Sequence, residues 1–566
     1  MATYYVSKST HNDCAVGSDS NNGTSKLTPW LTLAKVSASA ADGDTIYVND
    51  GAYADAELGG SNVFSLNTTK SLKMYPLRDY AVVLKSSAAS AQIVSLTGTA
   101  TNEMIFGKFV IDGEIPGAPG TYQPTGLSIP NTSGDCTLTL AGTRIQNCAT
   151  QNILNSRRRG IMTLNLVFGG LMAQGIASTT SGADTAAMTV LITGLVLDNV
   201  TCSTNALARV LDFTRLSTSS QVYSLTVQAV TGTITAPAAL GSSAAIALLV
   251  ATGIDGVIAE NFNATYTCFS TGVTCYGIYI KNSARGATAT ANRPIVRNNV
   301  ITGNAPSEYI ISIGDTTISY DVDNGYVYGN VITAPYYASS TPHCIALGNV
   351  TGGLVRSNRT NGGYVGFLAG INQGGLITGN ISVGCYGYAL YSKGSGGTTG
   401  PMICHNTVIL TNVYGAARGA AMGASAQGAT NNSAVTFQNN NLYALSDLYR
   451  FAEVGPSQTA TFIRNNHYSA GPVGFTSPWA YQASTYTTFA AWQAAQETTA
   501  LNANPLFLNV GAEDYRLDPA SSLVRAGSGA SFYARDFRGY RVFLPPDIGA
   551  YQSSPGDPLT VARVAR

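Results

Sequence analysis

Charged side chains are scarce in this chain, which has 11% Asp, Glu, Lys and Arg among 566 residues and a formal net charge of +1. Proteins that bind nucleic acid usually carry a basic patch or stripe. The run Arg157-Arg158-Arg159 is too short to supply one, so composition gives no support to nucleic-acid binding. No apolar run approaches the roughly 20 residues that a membrane-spanning helix needs.

Paired cysteine motifs are also missing, although the chain has nine cysteines. Their number is odd and none stands in a CxxC pair, which favours neither a zinc site nor a disulfide framework. We therefore predict buried thiols, consistent with folding in a reducing compartment. The opening MATYYVSKST has no basic or apolar segment of the signal-peptide type. It predicts use without the general secretion route, or prior removal of a signal.

A short phrase, which we call the Asn phrase, returns eight times between Ile258 and Tyr468. Each copy is an apolar residue, two variable residues and Asn, and the step between copies is 22 to 38 residues. The flanking apolar residues alternate with period two, which indicates strands, and a repeat of this length indicates a solenoid. We predict an all-β right-handed parallel β-helix with one coil per copy. The copies are IAEN 258–261, VRNN 296–299, VYGN 327–330, VRSN 355–358, ITGN 377–380, ICHN 403–406, FQNN 437–440 and IRNN 463–466.

The Asn of this phrase is predicted to have a structural role. Coils of a β-helix lie about 4.8 Å apart, so equivalent residues stack directly above one another. An inward Asn can then hydrogen-bond to the Asn of the next coil, which satisfies buried polar groups. We expect such a ladder from Asn299, Asn330, Asn358, Asn380 and Asn406.

Both ends of the chain resemble those of the pectate-lyase-like superfamily of right-handed parallel β-helices. The segments DSNNGTSKLTPWLTLAKV (19–36) and GDTIYVNDGAY (43–53) look like its N-terminal cap, with Trp30 as packing anchor. The predicted helix in 484–507 and DIGAY (547–551) look like its C-terminal cap. The chain departs from the family at SSLVRAG (521–527), where such ends read closer to SPAIDAG. The resemblance implies a cap and first coil over 1–60, a β-helix over 61–470 and a C-terminal capping region over 471–566.

A second strand precedes the Asn phrase in each coil, and polar residues stand at its end. These polar residues form a file along one face of the β-helix. If ARVLDFTRLS (208–217) is an earlier copy of this strand, two of its charged residues join the file. In elongated β-helix proteins such a file holds linear polysaccharide; the alternative is a row of solvated corner residues. We predict catalytic roles for Lys281, Asp315, Asp212 and Arg215, and substrate binding by Asn349, Asn372, Lys393, Gln427 and Glu453.

The file suits some reactions better than others. A glycoside hydrolase needs two carboxyl groups about 5–9.5 Å apart. Asp315 and Glu453 are predicted to lie five coils apart, on the order of 24 Å. A hydrolase would therefore need carboxylates from another face or from a neighbouring subunit. A lyase needs a base and a cation, and Lys281 with Asp315 on the adjacent coil, together with Asp212 and Arg215 about two coils below, could be assembled that way. A Lys–Asp pair one coil apart is equally an ordinary cross-strand ion pair. The histidines share no repeat slot, so no metal site is predicted, and a calcium ion in a loop is left open.

The resemblance implies a phage tailspike or tail-fibre protein that recognises bacterial surface polysaccharide, with depolymerase activity left open. It also implies a homotrimer, other phage tail proteins as partners and a place in the virion tail. One alternative is a secreted, extracellular bacterial polysaccharide lyase or glycoside hydrolase. Another is a structural or adhesive solenoid without catalysis.

Overall fold

The structure is a computed structural model of residues 1–566. It describes the chain apart from residues 55–56, 59–62, 69, 88–91, 99–102, 130–136, 156–159, 181–186, 203–207, 216–221, 237–245, 269–273, 282–292, 315–321, 337–341, 349, 370–374, 393–399, 412–416, 423–434, 446–448, 457, 472–476, 530–535, 541 and 554–566. The chain forms two compact units, Met1–Ala289 and Thr290–Arg566. The predicted boundaries at residues 60 and 470 stay predictions.

The N-terminal unit contains one α-helix, α1 (Leu33–Ser39), among its described residues. Its strands are β1 Thr3–Val6, β2 Asp44–Val48, β3 Gly51–Ala54, β4 Phe64–Thr68, β5 Leu72–Pro76, β6 Val82–Lys85, β7 Gln92–Gly98, β8 Glu103–Gly107, β9 Val110–Asp112, β10 Thr125–Ile129, β11 Thr137–Asn155, β12 Gly160–Thr180, β13 Met188–Cys202, β14 Ala208–Arg215, β15 Tyr223–Gln228, β16 Val230–Ala236, β17 Ile246–Thr252, β18 Gly256–Glu260, β19 Asn263–Cys268 and β20 Cys275–Lys281.

The C-terminal unit contains helix α2 (Phe489–Ala495). Its strands are β21 Ile295–Arg297, β22 Val300–Asn304, β23 Glu308–Ile313, β24 Val322–Asp323, β25 Tyr326–Tyr328, β26 Val331–Ala334, β27 His343–Leu347, β28 Val350–Thr351, β29 Leu354–Arg356, β30 Arg359–Gly362, β31 Val365–Ala369, β32 Leu376–Thr378, β33 Ile381–Val383, β34 Tyr388–Ser392, β35 Met402–Cys404, β36 Thr407–Leu410, β37 Ala417–Met422, β38 Val435–Gln438, β39 Asn441–Ala444, β40 Tyr449–Val454, β41 Ala460–Ile463, β42 Asn466–Ser469, β43 Trp479–Tyr481, β44 Ser484–Tyr486, β45 Phe507–Asn509 and β46 Asp514–Leu517.

Within each unit the strands pair in parallel with their equivalents one coil later, which makes three sheets along each unit. In the C-terminal unit the first sheet runs β21-β25-β29-β32-β35-β38-β41, the second β22-β26-β30-β33-β36-β39-β42 and the third β23-β27-β31-β34-β37-β40-β43. The third sheet of the N-terminal unit runs β4-β7-β10-β11-β12-β14-β17-β20. Each unit is therefore a parallel β-helix, and the predicted fold class is confirmed.

Apolar side chains fill the interior of each coil. In the third sheet of the N-terminal unit one inward column contains, beyond Phe64 of β4, only Leu, Ile and Val, and all of its members are buried. Burying such a side chain contributes about 1.5–3 kcal/mol, so every coil adds to stability. The column is Val94, Leu127, Ile153, Ile176, Leu211, Leu249 and Ile278.

The predicted asparagine ladder is present in the C-terminal unit. Each Asn Nδ2 donates to the Asn Oδ1 of the following coil, as from Asn330 to Asn358 (2.8 Å) and from Asn380 to Asn406 (3.0 Å). The same Oδ1 also accepts the preceding backbone N–H, as from Asn358 N to Asn380 Oδ1 (3.0 Å). The ladder also includes two residues not predicted for it, Asn440 and Asn465.

In two copies of the Asn phrase, the residue at the ladder position is one residue away from the Asn that the sequence alignment placed there. Asn261 has a φ of 59°, the left-handed conformation that Asn298 adopts (φ 56°) just before the ladder residue Asn299. The position after Asn261 is the buried Phe262, so this coil has an apolar residue in the ladder slot. At the other end Asn465, and not Asn466, hydrogen-bonds to Asn440. The cause is the register, because Gln438 pairs with Ile463.

The last Asn of the ladder, Asn465, donates hydrogen bonds to the buried carboxylate of Glu497. Glu497 Oε1 accepts from the backbone N (2.6 Å) and Nδ2 (2.9 Å) of Asn465. Its Oε2 accepts from His467 Nε2 (2.9 Å) and Trp492 Nε1 (3.2 Å). Because Trp479 Nε1 donates to His467 Nδ1, His467 is the neutral tautomer with its proton on Nε2. The Glu497 carboxylate, which accepts four hydrogen bonds, therefore terminates the ladder, in which each Asn side chain donates to the next coil.

Both predicted caps are present in outline. Trp30 is buried and its ring stacks on Tyr4 with centroids 4.4 Å apart, which confirms it as an anchor of the N-terminal cap. Helix α1 begins after Thr32, whose hydroxyl accepts from Lys35 N. The C-terminal helix is shorter than the predicted 484–507. It begins after Thr488, whose hydroxyl accepts from Ala491 N, and it ends before Gln496.

The segment after Asn504 returns along the second sheet of the C-terminal unit. Tyr515 and Ala550 pack on Ile381, Ile409 and Tyr443, which are outward-facing residues that would otherwise be exposed. Buried hydrogen bonds hold the segment in place. Ala550 N donates to Thr407 Oγ1, and His405 Nδ1 lies 3.2 Å from the carbonyl oxygen of Asp547.

His405 makes this packing sensitive to acid. Its side chain is fully buried, and burial lowers its pKa to about 4. A histidine in the unfolded chain has a pKa near 6.5. Between about pH 6.5 and pH 4 the unfolded chain therefore binds a proton at residue 405 that the folded chain does not bind. We expect the contribution of His405 to stability to be complete above pH 6.5 and to fall as the pH drops through that window.

Melting temperatures from pH 7.5 to 4 for wild type and His405→Asn test this expectation. Asn tolerates the left-handed backbone of residue 405. Burial raises the pKa of the neighbouring Asp547, which acts with the opposite sign. The informative quantity is therefore the difference between the two proteins, which should shrink toward pH 4. Replacement of the exposed His11 by Asn is the matched control, and a constant difference would contradict the assignment.

The eight described cysteines are free and buried, which confirms the predicted state for them; Cys136 lies outside the described residues. Burial raises the pKa of Cys202, Cys385 and Cys404 to about 12. These three thiols therefore stay protonated at neutral pH. Among the described residues, neither α-helix has the length and hydropathy required to cross a bilayer.

Candidate functional site

The outward face of the third sheet in the N-terminal unit gathers polar and aromatic residues over three successive coils. ARVLDFTRLS does belong to this sheet: β14 pairs with β17, and β17 pairs with β20. Asp212 is therefore two coils from the strand that ends in Lys281, as the sequence predicted. The registers are Arg209–Ala247–Tyr276, Asp212–Val250–Tyr279 and Thr214–Thr252–Lys281.

Arg209 and Asp212 form an ion pair at one end of this surface. The Nη1–Oδ2 distance is 2.7 Å, and the side chains are 31% and 13% exposed. Thr214 Oγ1 lies 3.4 Å from Asp212 Oδ1 and donates a long hydrogen bond to it. The pair presents donors and an acceptor in a fixed arrangement, which suits the hydroxyl groups of a ligand.

Two tyrosines and a lysine occupy the other end. The rings of Tyr276 and Tyr279 stack with centroids 4.3 Å apart and an interplanar angle of 9°. Lys281 Nζ lies over the Tyr279 ring, 5.2 Å from its centroid, in cation–π geometry. Within the described part of the chain Lys281 makes no ion pair with a carboxylate. A positive charge therefore remains available beside an aromatic surface.

The two ends lie two coils apart, about 9.6 Å along the axis of the unit. The coil between them contributes the small or compact residues Ala247, Val250 and Thr252. Small side chains there leave the flanking larger ones standing above the sheet. We call the set Arg209, Asp212, Tyr276, Tyr279 and Lys281 the outer-face cluster.

Arg215 lies on the same strand as Asp212 but not on the same face. Arg215 is three positions after Asp212, and side chains alternate along a strand, so Arg215 turns inward and is 1% exposed. Both of its terminal nitrogens donate to Asp255, which is 29% exposed, with Nη2–Oδ1 at 2.8 Å. Its predicted place in the outward file is therefore wrong for geometric reasons. Its predicted catalytic role stays a prediction.

Other predicted site residues are mostly outside the described residues: Asp315, Asn349, Asn372, Lys393 and Gln427. Glu453 is described and belongs to the C-terminal unit. It pairs with Arg450 at 3.1 Å, and its register partner in β37 is Ala421. The predicted catalytic role of Asp315 and the predicted binding roles of the other five residues stay predictions.

Sequence reasoning assigned no role to Tyr276, Tyr279, Arg209 or Asp255. Tyrosines three apart on a regular strand would point to opposite faces. Here the strand pairing passes over Gly277, joining Ala247 to Tyr276 and Leu249 to Ile278. That irregularity brings the two rings together. The only sequence signal was the abundance of tyrosine, 31 in all.

No group of three or more His, Cys, Asp or Glu side chains able to hold a metal ion occurs among the described residues. Any metal-dependent chemistry therefore has no observed ligand set in the part of the chain that the structure describes.

Comparison with known proteins gives structural likenesses of low similarity. A crystal structure of pectate lyase Pel9A is 13% identical with a TM-score of 0.23, covering 98% of this chain and 97% of its own. The complex of XylC with xylose is 10% identical with a TM-score of 0.30, covering 98% of each chain. A rhamnogalacturonan lyase is 12% identical with a TM-score of 0.17, covering 92% and 96%. No family model matches, and no curated protein matches. At these TM-scores the likenesses carry no argument, and the β-helix assignment depends on the strand pairings.

Proposed function

We propose that this chain binds a linear polysaccharide on the outer-face cluster of its N-terminal unit. One observation carries the proposal: a stacked tyrosine pair with an adjacent lysine lies in register with a fixed Arg–Asp pair two coils away. Aromatic rings pack against the apolar faces of sugar rings while the phenol hydroxyl stays available for hydrogen bonding. The ion pair offers hydrogen-bonding groups to the sugar hydroxyls at the other end.

We place this activity in host recognition by a phage tailspike or tail-fibre protein, with bacterial surface polysaccharide as the ligand. Support for that setting comes from the repeat pattern and from the resemblance of both chain ends to β-helix proteins of this kind. A homotrimer, contact with other tail proteins and a place in the virion tail belong to the same proposal. Light scattering tests the oligomer: a stable trimer supports the setting, and a monomer favours a free-standing polysaccharide enzyme.

A second candidate function is cleavage of the bound chain by β-elimination. Lys281 favours it, since it is a cation on the proposed ligand face that makes no ion pair with any carboxylate that the structure describes. Ultraviolet absorbance from an unsaturated product, rising together with reducing ends, would support a lyase. Reducing ends alone would indicate hydrolysis. Binding without either signal would leave a recognition protein.

Tyr279→Ala is expected to weaken polysaccharide binding about tenfold or more, because it removes the ring that pairs with Tyr276 and supports Lys281. An aromatic contact contributes about 0.5–1.5 kcal/mol beyond its buried area, and 1.4 kcal/mol is tenfold in affinity. The measurement is the dissociation constant for each member of a panel of purified bacterial capsular and O-antigen polysaccharides.

Tyr47→Ala is the matched control within the same unit. Tyr47 belongs to a stack on another sheet, with ring centroids 5.9 Å from Tyr5 and 6.2 Å from Tyr75. Its loss should leave binding unchanged. Equal loss of affinity in both variants, or none in Tyr279→Ala, would contradict the proposed site.

A further inference from the structure

Granted the proposed polysaccharide site, we infer that Asp255 is a ligand-contacting carboxylate of that site and that Arg215 is the residue that positions it. The two residues have opposite environments. Arg215 is fully buried, whereas the Asp255 side chain is about one-third exposed in the turn between β17 and β18. Chemistry at the surface would therefore involve the carboxylate and not the guanidinium.

Asp255 is held in one orientation by two separate elements. Arg215, the last residue of β14, donates to both carboxylate oxygens. Tyr223 N, at the start of β15, donates to Oδ2 at 3.1 Å. The backbone N of Asp255 in turn donates to the carbonyl oxygen of Tyr223 at 3.0 Å. A bidentate Arg–carboxylate pair with a further backbone donor fixes both the position and the rotation of the carboxylate.

The location of Asp255 ties it to the outer-face cluster. It stands three residues after Thr252, which is in register with Lys281 in the next coil. Gly253 N donates to the carbonyl oxygen of Lys281 at 2.9 Å, so the turn that carries Asp255 begins directly beside Lys281. Arg215 ends the strand of the preceding coil, one residue after Thr214. Cation, carboxylate and buried guanidinium thus occupy the same end of three successive strands.

Burial of a guanidinium contributes little to the stability of a fold, because desolvation of its charge opposes the gain from its ion pair. Taking a charge out of water costs several kcal/mol, and well-packed apolar side chains of similar volume often do as well or better. Phe213 and Leu211, the inward residues that precede Arg215 on the same strand, are apolar and buried. A charged residue at this position is explained by the need to hold a surface carboxylate rigidly, as binding sites require.

Carbodiimide footprinting of the unmutated protein tests the inference without any risk of misfolding. Labelling of Asp255 is measured by mass spectrometry with and without a saturating amount of the panel polysaccharide that binds most tightly. We expect strong protection of Asp255 by the polysaccharide. Asp198, whose side chain is 42% exposed and pairs with Arg144 in the same unit, is the internal reference and should be labelled equally in both samples.

Two substitutions complete the test. Asp255→Asn should weaken binding at least tenfold. Arg215→Lys keeps the charge but loses the two-pronged contact, so it should weaken binding by a smaller factor. Asp112→Asn is the control: Asp112 is 9% exposed and pairs with Lys85 and Asn147, so its loss should lower the melting temperature and leave affinity unchanged.

The outcomes separate the inference from the function on which it depends. Equal labelling of Asp255 with and without polysaccharide, in a protein whose binding is abolished by Tyr279→Ala, would overturn the role of Asp255 and leave the proposed function standing. Loss of affinity in Asp255→Asn that only matches that of Asp112→Asn would overturn it too. Absence of binding to every polysaccharide in the panel would remove the proposed function itself.

Discussion

Asn380→Leu is expected to lower the free energy of unfolding of the C-terminal unit by roughly 4 kcal/mol, because several buried polar groups lose a partner at 1–3 kcal/mol each. Asn380 lies in the middle of the ladder and makes four hydrogen bonds. Its Oδ1 accepts from the backbone N and Nδ2 of Asn358, and its Nδ2 donates to Val355 O and Asn406 Oδ1. Leucine has a similar volume, so the loss is one of hydrogen bonding and not of packing.

Thermal melts and native-state hydrogen exchange measure this effect. The amide of Asn358, whose only ladder acceptor is Asn380 Oδ1, should show the largest gain in exchange rate. Asn361→Leu is the control, since Asn361 is half-buried on the neighbouring strand and accepts one bond from Arg359 Nε. A melting temperature for Asn380→Leu no lower than that of the control would show that the ladder does not stabilise the coils.

Glu497→Gln is expected to have the second-largest effect, about 2–4 kcal/mol, although it changes one atom. All four partners of the carboxylate are donors: two groups of Asn465, His467 Nε2 and Trp492 Nε1. A glutamine must turn its NH₂ toward two of them. If His467 changed tautomer to accept that group, its Nδ1–H would face the indole N–H of Trp479. Every orientation of the glutamine, with either tautomer of His467, therefore leaves two hydrogen-bond donors facing each other.

Hydrogen exchange locates the damage predicted for Glu497→Gln. The amides of Asn440 and Asn465, in the last coils, should lose protection, while that of Asn330, six steps up the ladder from Glu497, should keep it. Glu513→Gln is the control because Glu513 is an exposed partner of Arg359. A uniform loss of protection along the ladder, or none in the last coils, would contradict the role of Glu497 as its terminus.

The fold could be predicted from the sequence because the same requirement recurs in every coil. A slot that must hold a self-pairing amide selects Asn repeatedly, and that repetition is visible without a structure. The one-residue errors of alignment at Asn261 and Asn465 arose because the adjacent positions also carry Asn or an apolar residue. The phrase alone therefore cannot fix the register. Glu497 could not be predicted, since it ends the ladder once and belongs to no repeat.

The candidate site was predictable only in part, for the opposite reason. Asp212 and Lys281 could be placed on one sheet two coils apart because strand alignment is periodic, although they stand in adjacent columns. Arg215 turns inward because side chains alternate regularly along this part of β14, whereas the pairing of Tyr276 with Tyr279 depends on a departure from strict alternation in β20. The same gap in the pairing occurs at Val210, Leu248 and Gly277 in three successive coils, and composition does not encode it.

A structure of the protein in complex with a defined oligosaccharide from the best-binding polysaccharide of the panel tests the central claim most directly. The proposed function predicts a ligand that runs across β14, β17 and β20, with one sugar ring against Tyr276 or Tyr279, hydroxyl groups at the Arg209–Asp212 pair, and a contact to Asp255. An oligosaccharide bound on any other surface, with this face empty, would contradict it.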